Sequence, residues 1–170
     1  MKTSIRNTRK CETEVRSQKS EVRSQRSEVR SQKSAGNLTA GHTPMQINSA
    51  KDLKVYRAAY ELAMKIFDLS KCFPPEEKFA LTSQIRRSSR SVCLNLREAW
   101  AKRRYEAHFI SKLTDCDGEN SETDSSLDFA RDCKYITLDQ HAKLVALCEE
   151  IGRMLGSMIK NPSTFLMTNR

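Results

Sequence analysis

Arg86, Arg90, Arg97 and Arg104 recur at i, i+4, i+11 and i+18. At about 100° per residue this spacing puts them within about 40° of one another on a helix. A row of guanidinium groups is suited to charge-assisted, two-pronged hydrogen bonding to phosphate or carboxylate oxygens. Lys102 and Arg103 extend the cationic set, and Glu98 is the only acid between Arg86 and Arg104. A charge row is ordinarily a solvated face, but the preference for Arg and the scarcity of carboxylates go beyond that. On nucleic acid, roughly four to six such contacts would give sequence-independent binding with a steep salt dependence. On protein, the same face would dock an acidic partner. A second set, Gln84, Arg87, Asn95 and Glu98, falls between about 100° and 180° from Arg86. It forms a polar stripe suited to contacts within a subunit, between subunits or with a ligand.

Other chemistries fail on spacing. A di-iron bundle needs paired E-x-x-H motifs, and Glu106–Ala107–His108 is too short. The acidic run Asp115, Asp117, Glu119, Glu122, Asp124 lacks the register of a calcium loop, because Gly118 comes too early. It reads as a solvated helix face. Ser88, Ser89 and Ser91 have no His or Lys placed by helical spacing to act as base. His42, His108 and His141 read as linker, helix surface and first-turn surface. No catalytic set, metal site, cofactor or small-molecule substrate is indicated, so the expectation is a non-enzyme.

Four amphipathic segments position these residues. In the first, Ser49 and Asp52 form an S-x-x-D capping pattern. Leu53, Tyr56, Tyr60, Ala63 and Phe67 then follow at 3–4 spacing, widened by Val55, Ala59, Leu62, Ile66 and Leu69, up to Cys72–Phe73. Pro75 opens the second, whose stripe Leu81, Ile85, Val92, Leu96 and Ala99 lies on a different side from the arginines and which breaks near Trp100–Arg103. The third carries Phe109, Leu113, Cys116, Asn120, Thr123, Leu127 and Ala130. Gly118 and the polar core-phase residues make it the least secure helix. Thr137 and Gln140 cap the fourth, with stripe Leu144, Cys148, Ile151, Leu155 and Met158, and Asn161–Pro162 ends it. Short connections and no strand pattern give an all-α fold, an antiparallel up-down-up-down four-helix bundle over 45–162 with a C-terminal tail at 163–170.

The formal charge of +9 is uneven: residues 1–50 hold ten Lys/Arg against four Glu, and residues 51–170 hold twenty against seventeen acids. The bulk pI therefore says little about the bundle. Residues 14–34 repeat EVRSQKS-like heptads with one valine per unit, too little apolar surface for a coiled-coil seam. Residues 1–44 are expected to be a disordered basic tail, with Met45 a candidate natural start. The N-terminus lacks an apolar signal core. No apolar stretch is long enough for a membrane span. The six cysteines show no zinc-like spacing, and the five in helical patterns suit apolar filling in a reducing compartment, so cytoplasmic residence is expected.

The runs DLKVYRAAYELAMKIFDLSKCFPPEE, LTSQIRRSSRSVCLNLREAWAKRRYEAHFISKL and LDFARDCKYI resemble the four helix bundle protein family, also called the ribosomal-RNA intervening-sequence protein family. The resemblance covers about Asp52 to Pro162. It implies a small non-enzymatic bundle, often a ring-shaped homopentamer. That family is in turn remotely similar to a basic pentameric accessory protein of diversity-generating retroelements that engages RNA and a reverse transcriptase. This chain departs at Arg97, at Asp117–Gly118–Glu119–Asn120 and at Ser125–Ser126, where lost apolar bulk should weaken packing between helices or subunits. The leading expectation is a homo-oligomeric bundle binding RNA or other nucleic acid through its second helix. The alternative is a protein-interaction or structural bundle whose basic face docks an acidic partner.

Overall fold

A computed structural model describes residues 47–167 of the chain. The heptad repeat, the expected tail disorder and the Met45 start lie outside the described residues. Among those described there are four α-helices and no strand: α1 (Lys54–Leu69), α2 (Leu81–Lys102), α3 (Glu106–Asp132) and α4 (Leu138–Lys160). Each helix packs on the next in the chain, and α1 also meets α4. No described helix is long and apolar enough to cross a membrane.

The Ser49 cap forms as the spacing demands, with Asp52 accepting from the Ser49 N–H. What it caps, however, is a 3-10 turn over Ala50–Asp52. Leu53 then turns extended before α1 begins. The deep residues of α1 are Val55, Ala59, Leu62, Ala63 and Ile66, while Tyr56 and Phe67 are half-buried and Tyr60 is 55% exposed. The apolar arc of this helix is wider than the interior can take. The branched and small side chains therefore fill the centre and the aromatic rings are left on the flank.

Pro75 does not open α2. Pro75–Phe79 is a 3-10 turn, Ala80 breaks the backbone, and the α-helix begins at Leu81. Glu77 makes this junction: one carboxylate oxygen accepts the Leu81 N–H at 3.0 Å and the other accepts the Tyr135 hydroxyl at 3.1 Å. Tyr135 in turn packs on Phe73. Its phenol is pushed up to about 12 by burial and by the Glu77 carboxylate. The start of α2 is thus tied to the α3–α4 connection. That connection closes as a Schellman turn, with Tyr135 N–H donating to the Ala130 carbonyl and Lys134 N–H to that of Arg131. Lys134 holds the left-handed position usually given to glycine, at φ 62°.

Ile85, Val92, Leu96 and Ala99 are buried as their phase requires, with Leu81 at the margin. Ser88 and Ser89 are buried beside them, and both hydroxyls donate to the Ile85 carbonyl. All seven core-phase residues of α3 and all five of α4 are buried. The expected weakness of α3 does not break it: the helix runs 27 residues through Gly118. Its polar core residues find partners across the seams. Thr123 Oγ1 lies 2.9 Å from Ser88 Oγ and 2.8 Å from the Glu119 carbonyl, and Asn120 donates to the Cys148 carbonyl. Each fully buried Leu, Ile or Phe in this core is worth about 1.5–3 kcal/mol.

Cys93, Cys116 and Cys148 fill the core, whereas Cys72 and Cys133 are exposed at helix ends. Beyond Pro162 the chain folds back. Phe165 stacks on Phe109 at 6.2 Å, and the Met167 N–H donates to the Arg103 carbonyl.

Candidate functional site

The arginine row runs along the seam between α2 and α1. Arg86 is half-buried, its Nε donating to Ser70 Oγ at 2.6 Å and its guanidinium lying 5.0 Å from the centre of the Phe67 ring. Arg90 is exposed but shares the same ring at 5.5 Å. Lys71 approaches it at 4.6 Å. Burial, with Arg90 beside it, lowers the Arg86 pKa from its ordinary value. Arg97 donates to Ser49 Oγ at 3.1 Å, which ties the far end of the row to the turn before α1. A face that is uniformly outward on the helical wheel is in fact half absorbed by a neighbour: Arg86 is an interhelical contact, and Arg90 and Arg97 form its exposed edge.

The other cations of the set are placed differently. Lys102 points toward Glu98 at 3.9 Å, on the side facing α3. Arg103 folds back over Trp100 at 4.1 Å and donates to the Trp100 carbonyl at 2.6 Å, closing the C-terminus of α2. Arg104 is exposed in the connection after α2 and so leaves the helical row. Among the described residues, no carboxylate lies within 4 Å of Arg86, Arg87, Arg90, Arg97, Arg103 or Arg104. By contrast Lys65, Lys71, Lys102, Lys112, Lys143 and Arg131 all have acidic partners.

Three of the four polar-stripe residues turn to α3 of the same chain. Gln84 donates to Glu122 at 2.6 Å, Asn95 accepts from Lys112 at 3.3 Å, and Glu98 pairs with Lys112 at 3.0 Å. Glu98 and Asp115 together raise the Lys112 pKa. Arg87 is exposed on the solvent side of these contacts. Asn95, Thr114, Asp115, Gly118, Glu119 and Glu122 line an open, mainly acidic depression between α2 and α3. Part of the acidic run thus faces a neighbouring helix, which periodicity on α3 alone does not reveal. His141 is likewise no surface residue. It is half-buried, with Nε2 at 2.8 Å from Asp128, which also takes Arg131 at 2.9 Å. His108 does stay exposed, tilted against Tyr105.

The sequence model for the 23S rRNA-intervening sequence protein matches residues 51–157, which take in α1, α2, α3 and all but the last three residues of α4. The chain belongs to the 23S rRNA-intervening sequence protein family. Its fold is similar to the crystal structure of a protein of unknown function from the S23 ribosomal protein family of Bacteroides thetaiotaomicron. The two share 35% identity at a TM-score of 0.59, over 65% of this chain and 99% of that one. No curated protein matches the chain. Gln84 to Arg104 all lie inside the matched span, so in this chain the arginine row and the polar stripe belong to the bundle and not to the basic N-terminal region.

Proposed function

We propose that this member of the 23S rRNA-intervening sequence protein family is a cytoplasmic, non-enzymatic bundle that binds RNA along the α1–α2 seam and does so as a homo-oligomer. The observation that carries the reading is the arginine row, without a carboxylate partner among the described residues, with Arg86 and Arg90 held over Phe67. Unneutralised guanidiniums held in place by ring stacking lose little side-chain freedom on meeting a phosphate, so each contact is cheap to form. A family named for a 23S rRNA intervening sequence makes RNA the natural polyanion. A ring of five subunits, the assembly the family resemblance implies, would repeat the row and multiply weak contacts.

The test compares the full chain with its Arg90→Ala/Arg97→Ala variant for binding to an rRNA fragment and to a DNA duplex at low and moderate salt. Residues 1–44 are common to both proteins, so any difference belongs to the bundle. Arg86 is left alone because it bonds α1 to α2. The expected result is weaker binding with a salt slope smaller by about two. Equal affinity for wild type and variant would exclude the row and leave an acidic protein as its partner. Light scattering checks the assembly, and a monomer at working concentration would remove the avidity.

A further inference from the structure

The seam that carries the arginines also carries aromatic surface. Tyr56, Tyr60 and Phe67 lie within about 40° of one another on α1. At one end Tyr56 sits in the electrostatic field of Arg97, and at the other Phe67 sits under Arg86 and Arg90. Along α1, Tyr60 lies between these two ends. Its ring stacks on that of Tyr56, 6.5 Å apart and 15° from parallel, and 55% of the residue remains in solvent. The strip continues with Met64, 42% exposed, on α1. The two acids of α1 are both paired with lysines, Glu61 with Lys65 and Asp68 with Lys71. The result is an apolar, aromatic floor edged by cations.

We propose that this strip takes an unpaired stretch of RNA, with a base stacked on Tyr60 and the flanking phosphates on Arg90 and Arg97. The inference rests on the RNA-binding reading above and adds the kind of RNA. A duplex offers phosphates and sugars and keeps its base faces inside, so it would use the cations and leave Tyr60 idle. An unpaired strand can use both. The Tyr56–Tyr60 stack orients the platform before any ligand arrives. An acidic peptide would satisfy the charges without using the exposed ring.

Fluorescence anisotropy on the full chain decides it, using a short unstructured RNA oligonucleotide and its perfect duplex at moderate salt, with wild type, Tyr60→Ala, Tyr60→Phe and Arg90→Ala. Expected are preference for the single strand, about a tenfold loss for Tyr60→Ala with an unchanged salt slope, near-normal binding for Tyr60→Phe, and a slope smaller by about one for Arg90→Ala. The exposure of Tyr60 means that its removal leaves the core in place, and a thermal melt checks this directly. Equal affinity for both RNAs, or no effect of Tyr60→Ala, overturns the inference while the phosphate-binding reading stands. Absence of any salt-dependent binding overturns both.

Discussion

Asn120 and Thr123 occupy the same face of α3, three residues apart, yet substitution should move stability in opposite directions. Thr123 is fully buried and satisfied, its hydroxyl placed between the Glu119 carbonyl and Ser88 across the α2–α3 seam. Thr123→Val keeps the shape and loses an interhelical hydrogen bond, leaving Ser88 only its 3.4 Å contact to Ile85. The cost is about 1 kcal/mol. Asn120 is only half satisfied: Nδ2 donates to the Cys148 carbonyl at 3.0 Å, whereas Oδ1 is sealed from solvent with no partner. Leucine has the same branching and side-chain heavy-atom count. Asn120→Leu gives up one hydrogen bond, about 1 kcal/mol, and removes a buried unpaired carbonyl that costs about 1–3 kcal/mol. It also adds apolar burial, against a packing cost of about 1 kcal/mol. Gly152, whose absent Cβ would sit 3.7 Å from Asn120 Nδ2, gives the larger side chain somewhere to go. The balance is a gain of about 1 kcal/mol, so the two variants should differ by about 2 kcal/mol. Urea denaturation followed by helical circular dichroism reads this as midpoints on either side of wild type with unchanged slope. A loss for Asn120→Leu as large as that for Thr123→Val would refute the claim that an unpaired Oδ1 burdens this core.

Two further outcomes follow from the same core. Leu113, fully buried in α3, should cost about 2–5 kcal/mol on replacement by alanine, seen as a lower urea midpoint. Burial pushes the Cys93 thiol to about 11 and those of Cys116 and Cys148 to about 12, from an ordinary 9.0. Their protonated forms are favoured in the fold, so stability is fully present below about pH 9. It falls from there toward pH 11–12, as the unfolded chain ionises first. A pH series of urea midpoints should be flat in this respect below pH 9 and decline above it, and replacing Cys116 and Cys148 with alanine should shrink that decline.

Much of the bundle was legible because burial and helix periodicity are locally coupled. Leu144 to Met158 on α4 and Phe109 to Ala130 on α3 follow one stripe each, and even the polar members obey the phase. The Thr137–Gln140 cap is a contact between residues three apart and needs no knowledge of the rest of the chain. The start of α2 was not legible. Pro75, Glu76 and Glu77 suit the first turn of an α-helix and of a 3-10 turn equally well, and the choice goes with Glu77 meeting Tyr135, 58 residues away.

The site divides along the same line. Sequence by itself determined that Arg86, Arg90 and Arg97 and the four polar residues occupy two flanks of a helix, because the angle between side chains on one helix depends only on their spacing. Only the tertiary structure decided what each flank meets. It put Arg86 against Ser70 and Phe67, Arg97 against Ser49, and Gln84, Asn95 and Glu98 against α3. It also took Arg104 off the row, since α2 ends at Lys102. A period carries the phase of a helix about its own axis and nothing about the neighbours packed around it. Those neighbours leave Arg90 and Arg97 as the exposed edge of the seam.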